Sequence, residues 1–401
     1  MSERPTATVA AYSVASFGIN MVNAFSNAVL PLYLGGYGLP AWLIGVLAQQ
    51  DSSLGGIEQP FIGLLSDRTR TRLGRRRPYF LVGVPLVAAC LVALAARPPL
   101  WAVVLILTLF ASFLAVAGDP YKSLLGDVFP VAQRGRVGAG MGLANMGGQV
   151  ATLLLAVWLW EAQPALVCYL VAVGLALTFA VTFVGVAEPP LDDTAPATAM
   201  SFGGLVGYLR DLVSHREAAK YALSQLCFWF GIGGAVPFLT RFGVLVLGVS
   251  EATAFLLFLA LVISTAVFTV PAGVLGDRLG KRRVMAWGLA GFAIVVAVGS
   301  LAEGAVQGAV VMALIGLPNA ITTTLSLPLF VDLMPRARLG EFVGLAALVT
   351  SLAEAVGAGM LGAVVDLTDN YRAVFVGAAA LIGLSWLLLL TVRPERVRPD
   401  G

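Results

Sequence analysis

The chain has 401 residues, of which 59% are hydrophobic and only 12% charged, and its net charge is +3. Soluble domains carry about 25% charged residues, so this composition leaves too little polar surface to face water and excludes a soluble catalytic domain. The small net charge argues against a nucleic-acid surface. The three scattered cysteines (Cys90, Cys168, Cys227) and the single His215 argue against a disulfide framework or a metal centre.

A helix needs ~20 mostly apolar residues to cross a bilayer. Twelve such segments follow in order, near 9–34, 40–66, 77–97, 101–128, 136–160, 164–187, 218–246, 250–275, 282–301, 305–332, 339–364 and 371–392. The first carries Asn20, Asn23 and Asn27 on one face, and is too long and too polar for the core of a cleaved signal. The second reads "AQQDSSLGGIEQP" and places Asp51, Gly55 and Glu58 on one helix face. The basic turn "SDRTRTRLGRRRP" follows at 66–78, with Asp67 its single acid.

The fourth span ends "GDPYKSLLGDVFP", with Asp119 and Lys122 at i, i+3. Glu58 and Asp119 each lie about 18 residues from the same end of their spans, hence at similar depth. A Glu58–Lys122–Asp119 cluster is therefore expected, with room for a proton or cation. Each charge within a bilayer costs ~2.5–3.5 kcal/mol, so it needs a partner or a task. The fifth span offers Asn145 and Gln149, again i, i+4.

The long connection 188–217 begins with the polar "EPPLDDTAPATAM". It continues with Phe202, Leu205, Val206, Leu209, Leu212 and Val213 at helical spacing, which predicts an interfacial amphipathic helix. It divides the chain into a six-span bundle at 1–187, a linker at 188–217 and a second bundle at 218–401. Beyond it, span seven carries Gln225 and Trp229, span ten carries Asn319, and span eleven carries Glu354. With both termini cytoplasmic, the cytoplasmic segments hold 21 of the 25 basic residues, and the outer loops only Arg97 and Arg372.

The halves repeat. "GLLSDR" at 63–68 returns as "GVLGDR" at 273–278. Asp127, Pro130 and Gly135 match Asp332, Pro335 and Gly340, and Pro31 matches Pro237. Parallel repeats of this kind mark a transporter architecture with substrate bound near midplane between the halves.

G-x-x-x-D-R after spans two and eight resembles the signature of the major facilitator superfamily. "QPFIGLLSDRTRTRLGRRRP" and "PYKSLLGDVFPVAQRGR" resemble its sucrose-transporter and glycoside–pentoside–hexuronide symporter branches, where S-D-R, a spacer and G-R-R-R-P recur. Lys122 stands at the basic position of the second motif and Asp127 at the acidic one. The resemblance implies an all-α protein of twelve transmembrane helices in two pseudo-symmetric six-helix bundles. It also implies a cytoplasmic gate at this turn; physically, Asp67 can attract a neighbouring helix N-terminus and Arg68 can pair with a carboxylate such as Asp127, with Asp277, Arg278 and Asp332 as the matching set. Sodium-coupled members carry D-x-x-N-D-P where this chain has "GGIEQP", which favours a proton over sodium.

The expected function is proton-coupled symport of a sugar or glycoside. Asn20, Asn23, Asn27, Lys122, Gln149, Gln225, Trp229, Asn319 and Glu354 are expected at the substrate, and Asp51, Glu58, Asp119 and Lys122 at the coupling site. Amide and carboxyl groups serve sugar hydroxyls, and the indole serves the apolar ring face. A proton-driven exporter of amphipathic molecules and a non-transporting lipid- or pigment-handling protein are the alternatives. With no GxxxxGK[ST] loop, an ATP-driven pump is not expected. The partners are a small-molecule substrate and the inner or plasma membrane, with no cofactor, and the chain is expected as a monomer.

Overall fold

The computed structural model describes residues 4–188, 216–333 and 339–393. Within them lie α1 (Thr6–Ala24), a π-turn (Phe25–Val29), α2 (Leu30–Gly35), α3 (Ala41–Ala48), α4 (Gln50–Arg68), α5 (Arg77–Ala95), α6 (Leu100–Val128), α7 (Val131–Leu159) and α8 (Pro164–Gly185). The second half holds α9 (Arg216–Ala235), a 3-10 turn (Val236–Phe238), α10 (Leu239–Leu245), α11 (Glu251–Leu279), α12 (Lys281–Gly299), α13 (Ala305–Asp332), α14 (Leu339–Thr368) and α15 (Arg372–Thr391). The predicted interfacial helix, Pro335 and His215 lie outside the described residues.

These elements make twelve helical stretches among the described residues, and ten are long and apolar enough to cross a membrane. The first two differ for a physical reason. The first is interrupted by the π-turn, and the second breaks at Gln49, where φ is −105° and ψ 15°. The break leaves α4 with Asp51, Glu58, Asp67 and Arg68, too polar for an apolar window. Large side chains such as Trp101, Trp158, Leu177, Val184 and Leu367 stand exposed, as lipid-facing helices require.

The chain forms two compact units. The first comprises the segment up to Leu30 and the helices from Gln50 to Gly185; the second takes Pro31–Gln49 with the helices from Arg216 onward. Inside the first, α1 packs on α7 and α8, α5 on α6 and α8, and α4 on α6. Inside the second, α9 packs on α14 and α15, α12 on α13 and α15, and α11 on α13, while α3 lies against α14. Apart from α3, the pairing scheme is the same.

The repetition reaches single hydrogen bonds. Tyr12 Oη donates to the Tyr121 carbonyl at 2.8 Å, and Tyr221 Oη to the Ser326 carbonyl at 2.7 Å. Arg77 Nη2 donates to the Phe183 carbonyl at 2.5 Å, and Arg282 Nη2 to the Leu390 carbonyl at 2.7 Å. Gly148 meets the Phe17 carbonyl and Gly357 the Phe230 carbonyl, so any Cβ there would collide with backbone. Tyr12→Phe and Tyr221→Phe should each lower stability by about 1 kcal/mol, read as matched drops in melting temperature in detergent. If neither melts lower, these bonds do not hold the bundles.

Candidate functional site

The first unit carries a charge cluster where the arginine-rich turn meets α6 and α8. Gly74, at φ 107°, reverses the chain, helped by the Thr71–Gly74 bridge. That reversal returns Arg75 and Arg76 toward α4. Arg76, only 5% exposed, reaches Asp67 at 2.5 Å and Asp127 at 3.2 Å, and also donates to Ser66 Oγ. Arg75 reaches Asp127 at 2.5 Å and Asp67 at 3.9 Å. The Glu188 carboxylate, with its side chain 4% exposed, accepts from the Arg76 amide at 3.0 Å and lies 3.8 Å from Arg75 Nε.

The expected Arg68–Asp127 pair is thus corrected. Arg68 is exposed, and its place is taken by Arg75 and Arg76 because the turn, not sequence adjacency, decides which guanidinium folds back. Sequence reasoning also missed Glu188. Glu188 stands 112 residues from Arg76 in the chain, and an isolated acid in "GVAEPP" carries no sequence signal of that pairing.

The matching end of the second unit is thinner. Lys281 pairs with Asp332 at 2.7 Å. Asp277 and Arg278 are exposed and form no ion pair among the described residues, so the expected Asp277–Arg278–Asp332 set is not assembled.

Deeper in the first unit, Lys122 Nζ reaches Asp119 Oδ1 at 3.1 Å, as the i, i+3 spacing predicts. Asp119 is 8% exposed and Lys122 62%. The other Asp119 oxygen, Oδ2, is buried without a hydrogen-bond partner. Glu58 is not paired with Lys122 as expected: it accepts from Ser112 Oγ at 2.7 Å. Ser112 lies about two helical turns before Asp119 on the same helix α6, and Glu58 remains close enough to Asp119 to interact with it electrostatically. Asp51 sits in the first turn of α4 and accepts from the Ser52 amide at 2.9 Å.

The amides gather in two groups. On α1 and α7, Asn20 donates to Asn145 Oδ1 at 2.7 Å, and Gln149 donates to Asn20 Oδ1 at 3.5 Å. Asn27 donates to the Asn23 carbonyl at 3.0 Å, one turn apart on the stretch that contains the π-turn. In the second unit, Gln225 donates to Tyr221 Oη at 2.9 Å and accepts from Ser326 Oγ at 3.2 Å. Trp229, half-buried, meets Phe228 edge to face at 5.3 Å. Asn319 donates to Thr265 Oγ1 at 3.1 Å, and Glu354 packs on Gly233. Polar groups on facing helices, a buried carboxylate beside an ammonium, and apolar outer faces are the parts of a membrane transporter.

Comparison with known proteins specifies the class. Residues 11–392 match the family described as MFS/sugar transport protein, so the chain belongs to that family of the major facilitator superfamily. That family is one of transport proteins, and ten of the described helices are long and apolar enough to cross a membrane, so the chain is a multi-pass membrane protein.

The human membrane-associated transporter protein is 31% identical over 223 residues, which cover 48% of this chain and 41% of that protein. The inner membrane symporter YicJ of Escherichia coli is 30% identical over 142 residues, covering 33% of this chain and 31% of that one. The chain therefore spans less than half the length of either relative. The nucleoside transporter NupG shares the fold at TM-score 0.79 and 12% identity, over 96% of this chain and 99% of that one. The peptide transporter POT does so at 0.74 and 16%, over 98% and 96%.

Proposed function

We propose that the chain is a proton-coupled symporter of a sugar or glycoside that works by alternating access, with both termini cytoplasmic. The halves 1–187 and 218–401, joined by 188–217, move as bodies in this reading. The observation that carries it is the Asp119–Lys122 pair: a buried carboxylate with one oxygen unpartnered, an exposed ammonium, and Glu58 on the packed helix α4. Such a set can trade a proton for an ion pair when its surroundings change. The family description and the symporter relative support symport of a sugar. The Asn20–Asn145–Gln149 and Gln225–Ser326 groups, with Trp229, supply hydrogen-bonding and ring-stacking partners for a polyol. Asp67, Arg75, Arg76 and Asp127 form the gate in place of the Arg68 pairing.

Two measurements on purified protein test this. Sugars should raise the melting temperature, while drug-like amphiphiles should not; the reverse result would establish the exporter. In proteoliposomes, Glu58→Gln mimics permanent protonation and should keep substrate counterflow but lose accumulation driven by a pH gradient. Full accumulation by Glu58→Gln and Asp119→Asn would make the cluster structural.

A further inference from the structure

At one end of the second unit α9 and α12 begin and α15 stops, and several basic side chains gather there with fixed partners. Lys220 pairs with Glu217 at 2.9 Å, and Lys281 with Asp332 at 2.7 Å. Lys220 Nζ also donates to the Thr391 carbonyl at 3.4 Å, and Arg282 Nη2 to the Leu390 carbonyl at 2.7 Å. Both serve the last, otherwise orphan, carbonyls of α15. Arg283 is placed differently. It is exposed and forms no ion pair among the described residues. Its guanidinium lies over the Trp287 ring, 5.1 Å from the centroid, one turn further along α12.

The stacked pair heads an apolar stripe. Trp287, Ile294, Val298 and Leu301 recur at helical spacing on one face of α12, and all are exposed. Gly291 leaves a notch in that face one turn beyond Trp287: a Cβ there would meet nothing within 4 Å. On α15, which packs against α12, Leu384 and Leu387 are exposed as well. A cation without a counter-ion, an amphipathic ring and then hydrocarbon follow one another along the face, as the parts of a bilayer do from headgroup to core. A soluble anion would use the guanidinium and leave the stripe bare. An apolar partner would cover the stripe and bury the guanidinium unpaired, which is costly. A molecule with both an anion and acyl chains satisfies the whole face.

The repeat supplies a contrast. Arg77 and Arg282 correspond, each donating to a carbonyl near the end of the last helix of its unit. One position later the first unit has Pro78 where the second has Arg283, and Val82 stands where the second has Trp287. Leu81, Val82 and Val184 are exposed there, so the apolar face recurs without the stacked cation.

We propose that Arg283 and Trp287 form a binding site for one anionic phospholipid on the outer face of α12. The phosphate sits on the Arg283 guanidinium, the glycerol region beside the indole, and an acyl chain in the notch at Gly291. A guanidinium donates in its own plane while its flat face rests on a ring, so the phosphate and the indole are held at once. Arg393, exposed just beyond α15 with its amide held by Glu217 at 2.6 Å, adds positive potential at the same end. The chemistry is the same whichever leaflet this end of the unit meets.

Native mass spectrometry of the purified full chain in detergent tests the site, with phosphatidylglycerol and phosphatidylcholine of identical acyl chains as probes. The parent should take its first phosphatidylglycerol at a concentration about tenfold lower than its first phosphatidylcholine. Arg283→Ala should weaken the phosphatidylglycerol about fivefold, the share of one basic side chain near a lipid surface, and leave phosphatidylcholine unchanged. Arg283→Gln, which keeps a polar stem but no charge, should behave in the same way. Arg283→Lys should recover part of the preference, and Trp287→Ala should weaken both lipids. Arg68→Ala, at an exposed arginine of the first unit, should change neither. Equal affinity of the parent for the two lipids, parental binding by Arg283→Gln, or equal losses from Arg68→Ala and Arg283→Ala would each overturn the site. Displacement of phosphatidylglycerol by inorganic phosphate at the lipid's own concentration would assign the guanidinium to a free anion and overturn the lipid.

Discussion

Arg76→Ala should lower stability by about 3 kcal/mol, toward the lower end of the cost of breaking a buried ion pair. The side chain is buried and bridges Asp67 and Asp127, with Ser66 as a further acceptor. Its loss leaves two carboxylates to share Arg75, with Glu188 beside them. Arg76→Lys should recover only part of the loss, because an ammonium cannot fork between two acids as a guanidinium does. Lys281→Ala, in the matching but exposed pair with Asp332, should cost no more than about 1 kcal/mol. Arg68→Ala should stay within about 0.5 kcal/mol, as for an exposed site without such a feature. Thermal unfolding of the four variants in one detergent ranks them. An Arg68→Ala protein that melts as low as Arg76→Ala would return the gate to the sequence-adjacent pairing.

The second large effect is expected at Lys122. Lys122→Ala leaves Asp119 buried with neither oxygen paired by a cation, a loss of about 2.5–3.5 kcal/mol on the scale for a lone charge within a bilayer. Both counterflow and gradient-driven accumulation should fall. Adding Asp119→Asn should restore the melting temperature, because the lone charge is gone, without restoring accumulation. That split separates coupling from support. If the double variant melts as low as the single one, Lys122 acts through packing of its stem rather than through Asp119.

Some of this was legible in the sequence. Spans, repeat and the Asp119–Lys122 pair are local or periodic properties, fixed by composition and helical spacing. The gate acids Asp67 and Asp127 were found because their motifs recur, but their partners were not. Which of six arginines turns inward depends on a reversal at Gly74, and a positive φ has no periodic signature. Glu58 was placed at the right depth and near Asp119, with which it interacts electrostatically, but its hydrogen bond goes to Ser112, which rise per residue alone does not specify. The Tyr12 and Tyr221 bonds to carbonyls of α6 and α13 were invisible for a similar reason: a carbonyl carries no residue identity. The break at Gln49 escaped notice because it uses neither proline nor a glycine pair, whereas the π-turn follows from Pro31, which has no amide to donate to the Asn27 carbonyl and whose ring crowds it.

The bond between the Ala41 amide and Asp366 spans 325 residues. At roughly 5–20 residues per second of synthesis, about 15–65 s separate the making of α3 from the making of its cap. Throughout that interval the first amides of α3 must be met by water, so the nascent segment has reason to stay at the membrane surface. The last helix pair to be made therefore completes the first, and a chain halted before Asp366 would hold a finished first unit with the start of α3 uncapped.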